Sequence, residues 1–384
     1  MAPVDPQYII AICQELVRIN SVNPLLVPGA PGEAEIARFT AKALTALGLE
    51  VQTHEPEPGR VSVTGRLPGT GGGRSLMLNA HYDTVGVDGM AEPFSGAVRN
   101  GRLYGRGAYD MKGSLAASIG AVKALVDSGV RLRGDIVLAA VADEEYGSLG
   151  TADLLTRIRT DGAIVTEPTS LDICLAHKGY CWIEVTTLGR AAHGSKFEEG
   201  LDANMRMGWF LAELDGLERK LRSRPPHPLV GPPSLHAALL QGGAGLSTYS
   251  PSCTLQIERR TVPGETEGQV MREIETLIAR LEARDPSFRA SARPFFTREP
   301  FEVDRQAPVV RALASAAAAA LPAPPRYVGD TPWMDSALTS GAGIETVVFG
   351  PAGAGAHADE EWVDTDSLVR CADALTRAAL EYCS

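Results

Sequence analysis

The chain has 384 residues, of which 44% are hydrophobic and 22% charged, which is enough for two domains with a large core. Its net charge of −11, from 36 basic and 47 acidic residues, argues against a nucleic-acid interface or a basic membrane-binding face. No apolar run approaches the roughly 20 residues that span a bilayer. The N-terminus lacks the basic start of a signal peptide, so we expect a cytoplasmic protein.

Six cysteines are scattered along the chain without a CxxC pair. This usage is typical of free or buried thiols in a reducing compartment such as the cytoplasm. A metal site in this chain would therefore use histidine and carboxylate side chains.

The first part of the chain alternates helical and strand patterns. Asp5-Pro6 is a helix start, and apolar residues then recur at helical spacing from Ile9 to Val17. A second helix is predicted to end at Gly48 and a third, over 114–127, at Gly129. Strands are predicted over 50–53, 61–66, 75–80, 135–141 and 162–166. This alternation predicts a wound α/β sheet.

The pattern changes after residue 178. We predict a strand over 180–187, a helix over 201–221, strands over 234–241 and 253–261, a helix over 265–281 and a strand over 288–294. The order β-α-β-β-α-β is that of a ferredoxin-like α+β unit. A last strand with site residues, over 345–357, follows it, so we expect this unit to be an insertion. The predicted domains are a catalytic domain of residues 1–178 and 297–384 and an inserted domain of residues 179–296.

The stretch over 79–113 carries the clearest chemical signal. An apolar strand runs into His81-Tyr82-Asp83-Thr84, and the segment over 105–113, which contains Asp110, precedes a helical pattern. In open α/β sheets the ligand crevice lies at the carboxyl ends of the strands. Imidazole and carboxylate together are ligands that zinc accepts.

The same stretch resembles a known family. Residues 81–85 read HYDTV, which is similar to the HxDTV element of the dinuclear zinc aminoacylase and exopeptidase family, and residues 105–113, GRGAYDMKG, resemble its second signature. That family includes acetylornithine deacetylase, succinyl-diaminopimelate desuccinylase, aminoacylase and the glutamate and G-type carboxypeptidases. Three later segments match in the family's order: DEEYG over 143–147, TEP over 166–168, and 350–361. One motif alone is weak evidence, whereas five in order across most of the chain are specific.

The resemblance implies a zinc-exopeptidase-like wound α/β catalytic domain, with the inserted domain serving as a lid and for dimerisation. It implies two Zn²⁺ per subunit, with Co²⁺ or Mn²⁺ as substitutes. Asp110 would bridge the two ions, His81 and Glu167 would complete one, and Glu145 and His357 the other. Two ions roughly 3.5–4 Å apart can together hold a hydroxide and polarise a carbonyl. For any single carboxylate, a solvated charge or a helix cap is the alternative.

The adjacent Glu144 and Glu145 need different roles. The resemblance makes Glu145 a ligand and Glu144 the general base for a metal-bound hydroxide, because a base must lie near the reacting water but off the metal. It also gives Asp83 the role of orienting His81 by accepting its other ring N–H. A charged loop and a surface aspartate are the alternatives. The peptide bond after Asp110 is implied to be cis.

Two residues of the inserted domain are implied to hold substrate. His193, within GRAAHGS, resembles the family histidine that reaches across a dimer interface to the substrate carbonyl oxygen, where a donor stabilises the tetrahedral intermediate. Arg260, three residues before Pro263-Gly264, resembles the arginine that binds the substrate carboxylate through its planar fork. A surface histidine and a strand-edge charge are the alternatives, and Arg259 is easily confused with Arg260.

These implications favour a metal-dependent hydrolase that cleaves the amide bond of an N-acyl amino acid, as acetylornithine deacetylase does. It would act as a homodimer on a small molecule or short peptide. A carboxypeptidase or dipeptidase would use the same chemistry and differ only in what fills the acyl pocket. A non-catalytic metal-binding protein is the other class, and the presence of Glu144, which binds no metal in this scheme, argues against it.

Overall fold

The computed structural model describes residues 3–384, which form two compact units. The first unit consists of the chain up to Leu175 with Val303–Val328 and Met334–Ser384, and the second of Ala176–Glu302 with Gly329–Trp333. The inserted segment extends a few residues beyond 179–296 at both ends, because strand pairing joins Ala176 to Glu302 and His177 to Phe301. The short second piece over 329–333 has no counterpart in the sequence patterns.

The helices of the described residues are, in chain order, α1 (Pro6–Arg18), α2 (Ala34–Ala46), α3 (Gly113–Asp127), α4 (Leu149–Leu154), α5 (Ala203–Arg222), α6 (Glu267–Arg284), α7 (Pro308–Ala320), α8 (Ser336–Gly341) and α9 (Thr365–Tyr382). The strands are β1 (Glu50–Glu57), β2 (Arg60–Leu67), β3 (Leu76–His81), β4 (Ala97–Arg99), β5 (Arg102–Tyr104), β6 (Ile136–Val141), β7 (Gly162–Val165), β8 (Ile173–His177), β9 (Gly179–Leu188), β10 (Ser234–Gly242), β11 (Ser252–Thr261), β12 (Ala290–Arg298), β13 (Phe301–Glu302), β14 (Tyr327–Asp330), β15 (Glu345–Val348), β16 (Gly353–Ala354) and β17 (Trp362–Asp364). Within residues 3–384, no helix is both long and apolar enough to cross a membrane.

Helix α1 begins where the sequence predicts. The Asp5 side chain accepts hydrogen bonds from the backbone N–H groups of Gln7 and Tyr8, and Pro6 occupies the first turn. Its apolar face, predicted from the helical spacing, is buried and consists of Ile9, Cys13, Leu16 and Val17. This face packs against α3 and α9, which ties the N-terminal helix to the first unit.

The strands of the first unit form a mixed sheet in the order β1-β2-β6-β3-β7-β15-β8. The central strands β6, β3, β7 and β15 run parallel, and β3, β6 and β7 are buried along their whole length, as in a sheet covered on both faces. His81, at the end of β3, lies opposite Val141 of β6. Val165 of β7 lies opposite Asn79 of β3 and Val348 of β15. The carboxyl ends of the four strands therefore meet at one edge of the sheet.

The second unit has the element order β-α-β-β-α-β that the sequence predicts. Its antiparallel sheet has the order β10-β11-β9-β12, and α5 and α6 pack against it. Every second residue of β9 and β11 is buried, so one face of the sheet forms a core with the two helices. The opposite face is half-exposed.

Two predicted strands need correction. The strand predicted over 288–294 is β12, which begins at Ala290 because Asp285 and Ser287 form a turn and Phe288 is buried ahead of the strand. The predicted strand-and-site element over 345–357 divides into β15, which ends at Val348 where its pairing with β7 ends, the short strand β16 and a loop that carries His357. Strand β8 and the small sheet β16-β17-β5-β4 were not predicted.

Candidate active site

The site side chains project from the carboxyl edge of the first unit's sheet. His81 is the last residue of β3, Glu144 and Glu145 follow β6, and Glu167 follows β7. His357 lies beyond β15, in the loop between β16 and β17, with its backbone in the left-handed region at φ +60°. Because the four strand ends lie side by side, residues from four distant segments of the chain meet here.

Asp110 lies in an irregular helical turn, Ala108–Lys112, directly before α3. The peptide bond between Asp110 and Met111 is cis, as the resemblance implies. The Asp110 carboxylate faces two histidines, with Oδ1 3.2 Å from Nε2 of His81 and Oδ2 3.4 Å from Nε2 of His357. One side chain thus offers an oxygen atom to each of two neighbouring positions.

Each of the two histidines also lies beside further carboxylates. Nε2 of His81 is 3.6 Å from Oε1 of Glu167 and 3.9 Å from Oε2 of Glu144. Nε2 of His357 is 3.0 Å from Oε2 of Glu145. Donor atoms of His81, Glu144 and Glu167 lie within 4.8 Å of one another, as do those of His81, Asp110 and Glu145. The structure brings the predicted ligand residues into one cluster and places Glu144, the predicted base, beside it.

Burial and mutual repulsion set the acid–base behaviour of this cluster. Burial, together with the nearby Asp110, raises the pKa of Glu145 to about 7. Burial also raises the pKa of Glu144 and of Glu167 well above the ordinary range. Hydrogen bonds to Asp110 and Glu145 raise the pKa of His357 to about 10. For Asp110 burial acts in the upward direction, but hydrogen bonds from the two histidines outweigh it and hold the pKa below its usual range.

This donor set fits a dinuclear metal centre. It combines imidazole nitrogens with carboxylate oxygens, which are ligand types that zinc accepts. Four carboxylates (Asp110, Glu144, Glu145 and Glu167) face two histidines here, so the cluster has an excess of acidic groups. Divalent cations would remove that excess of charge, so the residues present suit two bound ions.

Asp83 is buried behind His81. Its Oδ1 lies 3.5 Å from Nδ1 of His81, and its own backbone carbonyl oxygen lies closer to that nitrogen, at 3.1 Å. The Asp83 carboxylate also accepts hydrogen bonds from the Asn23 amide at 2.8 Å and from the backbone N–H groups of Glu144 and Glu145 at 3.1 and 3.3 Å. Asp83 therefore contacts the histidine ring and also holds the backbone that carries both glutamates.

A buried ion network lies behind the site and was missed in the sequence. Arg60 of β2 donates to the carboxylate of Glu33 at 2.7 and 2.9 Å and to that of Asp143 at 2.7 Å. The Asn23 amide donates to the same Asp143 oxygen at 3.0 Å. Asp143 has φ +71°, so the network fixes the turn that follows β6. A lone arginine in a strand carries no local signal, whereas Asp143 could have been found within DEEYG.

The two residues predicted to hold substrate lie in the second unit. His193 is exposed, and its Nδ1 lies 2.8 Å from the hydroxyl of Ser195. Arg260 has 32% of its side chain exposed, lies over the Tyr180 ring at 5.1 Å and donates to Glu258 at 2.7 Å. Both side chains face solvent at least in part and are held by neighbours in their own unit.

The structure distinguishes Arg260 from Arg259. The Arg259 side chain is 1% exposed and forms ion pairs with Glu265 at 2.8 Å and with Glu273 at 3.1 Å. These contacts join β11 to Glu265, two residues before α6, and to the body of α6, which is a structural role. Of the two adjacent arginines, Arg260 is the one accessible to a ligand.

Comparisons with known proteins agree with this arrangement. The sequence model of peptidase family M20/M25/M40 matches residues 77–381. Acetylornithine deacetylase from Myxococcus xanthus is 31% identical over 387 residues, which covers 97% of each chain. N-formyl-4-amino-5-aminomethyl-2-methylpyrimidine deformylase from Bacillus subtilis is 30% identical over 390 residues and covers 93% of this chain and 91% of its own.

A solved structure extends the comparison to the fold. The Bacillus subtilis YXEP protein, a dinuclear metal-binding peptidase of family M20, matches with a TM-score of 0.76 over 98% of this chain and 97% of its own, at 16% identity. The family match defines a hydrolase, which here is built on a wound α/β sheet with an inserted α+β unit and has a donor cluster that fits metal ions. The chain belongs to peptidase family M20/M25/M40.

Proposed function

We propose that this protein is a dizinc amidohydrolase that cleaves the amide bond of an N-acyl amino acid, in the manner of acetylornithine deacetylase. One observation carries the proposal: the two oxygens of Asp110 face two different histidines, each with a further glutamate beside it. The full-length likeness to a relative named acetylornithine deacetylase supports the choice of substrate class. Co²⁺ or Mn²⁺ could take the place of zinc in the same donor set.

The ligands divide around Asp110. We assign His81, Glu167 and one oxygen of Asp110 to the first ion, and His357, Glu145 and the other oxygen of Asp110 to the second. When bound, the two ions would polarise the amide carbonyl and make water acidic enough to attack near neutral pH. The contact between Asp83 and Nδ1 of His81 fixes the ring so that Nε2 points into the cluster.

Glu144 is the residue that we assign to proton transfer. Its carboxylate takes a proton from the attacking water as the C–O bond forms, and it delivers that proton to the amide nitrogen as the C–N bond breaks. The free carboxylic acid and the free amine are the products, so the transfer balances. Burial raises the pKa of Glu144 well above its ordinary value, and this shift makes its carboxylate a stronger proton acceptor.

In the second unit we assign His193 as a hydrogen-bond donor to the carbonyl oxygen of the tetrahedral intermediate and Arg260 as the group that binds the substrate carboxylate. We further propose that two copies form a symmetric dimer through this unit, so that His193 of one chain serves the site of the other. Strand β10 lies at the edge of its sheet with Leu239 and Leu240 65% and 59% exposed, and an apolar open edge of this kind favours pairing with a second copy.

A second candidate substrate is an N-formyl amine, because a full-length relative at 30% identity is named as a deformylase. A peptidase acting on a dipeptide or a C-terminal residue would use the same residues in the same roles.

All six cysteines are buried free thiols, which supports a reducing compartment such as the cytoplasm as the site of action.

A substrate panel tests the proposal. Purified protein loaded with zinc or cobalt is assayed against N-acetyl, N-succinyl and N-formyl amino acids and against dipeptides, with Glu144→Gln protein as the control for contaminating hydrolases. We expect turnover of N-acyl amino acids that the control lacks. Turnover confined to dipeptides would assign the peptidase alternative, and no turnover of any amide by protein that holds two ions would contradict the proposed class.

A further inference from the structure

Glu361 is a buried carboxylate that belongs to none of the roles assigned above. It lies four residues after His357, immediately before β17, and is 1% exposed. Its surroundings consist of the loop that carries Asp110. A buried charge is costly unless it is paired and hydrogen-bonded, so the partners of Glu361 indicate its role in the structure.

Both Glu361 oxygens accept hydrogen bonds from the loop before Asp110. Oε1 accepts from the backbone N–H of Tyr109 at 2.9 Å and from that of Asp110 at 3.0 Å. Oε2 accepts from the backbone N–H of Gly107 at 3.1 Å and from the Arg106 guanidinium at 2.7 Å. One side chain thus binds three backbone N–H groups of this loop and the guanidinium that balances its charge.

Arg106, the ion-pair partner of Glu361, also contacts two other segments of the site. It is 3% exposed, and besides its bond to Glu361 it donates to the backbone carbonyl oxygens of Gly86 and of Ala358, each at 3.0 Å. Gly86 follows the strand end that carries the first histidine of the cluster, and Ala358 follows His357 directly. The buried ion pair therefore touches the three loops that present the first histidine, Asp110 and the second histidine.

The space around this loop leaves little freedom to the backbone. Gly107 has φ +79°, and a Cβ atom placed on it would lie 2.8 Å from the methyl carbon of Thr84 and 2.9 Å from the side chain of Lys112. The loop is consequently pressed against the segment after β3 while its N–H groups point to Glu361. The direction of the Asp110 side chain follows from where these N–H groups are held.

We infer that Glu361, paired with Arg106, is the positioning residue that aims the two oxygens of Asp110 at the two metal positions, and that it sets the metal affinity of the centre. The inference rests on the proposed function, since it requires a dinuclear centre bridged by Asp110. Residues that orient metal ligands typically change affinity or activity by about 10–100-fold when replaced.

The test compares zinc affinity in Glu361→Gln with that in the wild type and in Glu360→Gln, a matched change at the exposed neighbouring residue. Glutamine keeps the shape of the side chain but presents an NH₂ group where one oxygen accepts from Gly107 and Arg106. We expect Glu361→Gln to bind zinc about 10–100-fold more weakly, and Glu360→Gln to match the wild type. Affinity is measured by competition with a chromophoric chelator, on metal-free protein whose fold is verified by circular dichroism.

Glu361→Asp, which keeps the charge but shortens the reach, should show an intermediate loss of affinity, and high zinc should restore part of the turnover of both variants. A folded Glu361→Gln protein with wild-type zinc affinity would overturn the inference and leave the proposed function intact. Failure of both Glu361 variants to fold in saturating zinc would also overturn it, because the residue would then serve the fold. A wild-type protein that binds no zinc would overturn the proposed function itself.

Discussion

The candidate metal cluster and the inserted unit hold their functional side chains in opposite ways. In the first unit the carboxylates and histidines of the site contact one another, and five distant segments of chain supply them. In the second unit the His193 ring contacts Ser195 in its own exposed loop, and Arg260 pairs with Glu258 two residues away. The first arrangement lies within one unit, whereas the His193 and Arg260 side chains of the second are at least partly exposed to solvent.

This difference separates two kinds of function. A preassembled cluster rich in carboxylates suits metal cations, because bound cations offset the repulsion among the carboxylates. Exposed donors on a separate unit suit a substrate that arrives later, with closure or a partner chain bringing donor and substrate together. Metal removal and variants of the adjacent glutamates test the interpretation of the cluster in the first unit, and variants of His193 test that of the exposed side chains in the second.

The largest effect should come from removing metal, which tests whether the cluster in the first unit holds cations. Dialysis against a chelator should abolish turnover, because without cations the carbonyl is not polarised and the cluster carboxylates are left unpaired. Readdition of zinc or cobalt should restore it, and metal analysis of the active protein should find two ions per chain. Zinc-saturated chelator serves as the control for direct inhibition. Undiminished activity in metal-free protein would contradict the mechanism.

The adjacent glutamates provide the next largest effect. Glu144→Gln should retain fold and bound metal but lose about 10²–10⁴-fold in turnover, which is the usual cost of removing a general base. Glu145→Gln should instead weaken metal binding, because its carboxylate lies 3.0 Å from Nε2 of His357. Turnover and metal content are measured on the same samples. Near-wild-type turnover of Glu144→Gln would reverse the assignment of the pair, which matters because Glu144 also lies 3.9 Å from His81.

Much of the candidate metal cluster could be predicted from the sequence, because the signals that mark its residues are local. Four of the five predicted ligands come at the end of an apolar strand or in a loop beyond it, and parallel strands with matched register bring their carboxyl ends together. Asp110 instead lies in the turn before α3. Helix starts such as Asp5-Pro6 are equally local, since capping depends on a few neighbouring residues.

What could not be predicted depends on contacts between distant residues. Arg60 meets Glu33 across 27 residues and Asp143 across 83, and no spacing rule connects them. Glu361 contacts the Asp110 loop across 251 residues, so the matching segment over 350–361 contains this residue but does not indicate its partners. The paired strands β4, β5 and β17 have three residues each, too few for a period of two to show.

His193 tests the second half of the comparison. His193→Ala should lose about 10²–10³-fold in turnover, the usual cost of removing one donor to a tetrahedral intermediate, with metal content unchanged. If the residue serves the partner's site, mixing this variant with Glu144→Gln protein and allowing subunit exchange should restore activity. One site of the mixed dimer then combines an intact Glu144 with an intact histidine from the partner. Lys196→Ala, which changes an exposed side chain of the same loop, is the matched control.

An exchanged mixture that stays inactive, with exchange verified by differently tagged chains, would place His193 in the service of its own chain. A His193→Ala variant with wild-type turnover would remove the residue from the mechanism altogether. Neither outcome would contradict the interpretation of the metal cluster, because that cluster does not depend on side chains of the inserted unit.

The smallest effect concerns the stability of the metal-free protein above about pH 5. The pKa of Glu145 is raised to about 7 by burial and by Asp110, so the folded state binds this proton more tightly than the unfolded state does. Stability from this group is therefore lost as pH rises from its ordinary value towards 7. The pKa of His357 is raised to about 10 by its bonds to Asp110 and Glu145, so its contribution is present below its ordinary value and is lost as pH rises towards 10.

Both groups thus act in the same direction, and the thermal unfolding midpoint of metal-free protein should fall steadily as pH rises from about 5 to about 9. Saturating zinc should remove or reverse this slope, because the ions replace the protons and bind more tightly as the ligands ionise. The double variant Glu145→Gln and His357→Gln controls for the repulsion of a chain with net charge −11, and its metal-free slope should be shallower. A midpoint that rises with pH in metal-free wild-type protein would mean that the cluster is not held together by these protons, and the charge argument for two cations would lose its basis.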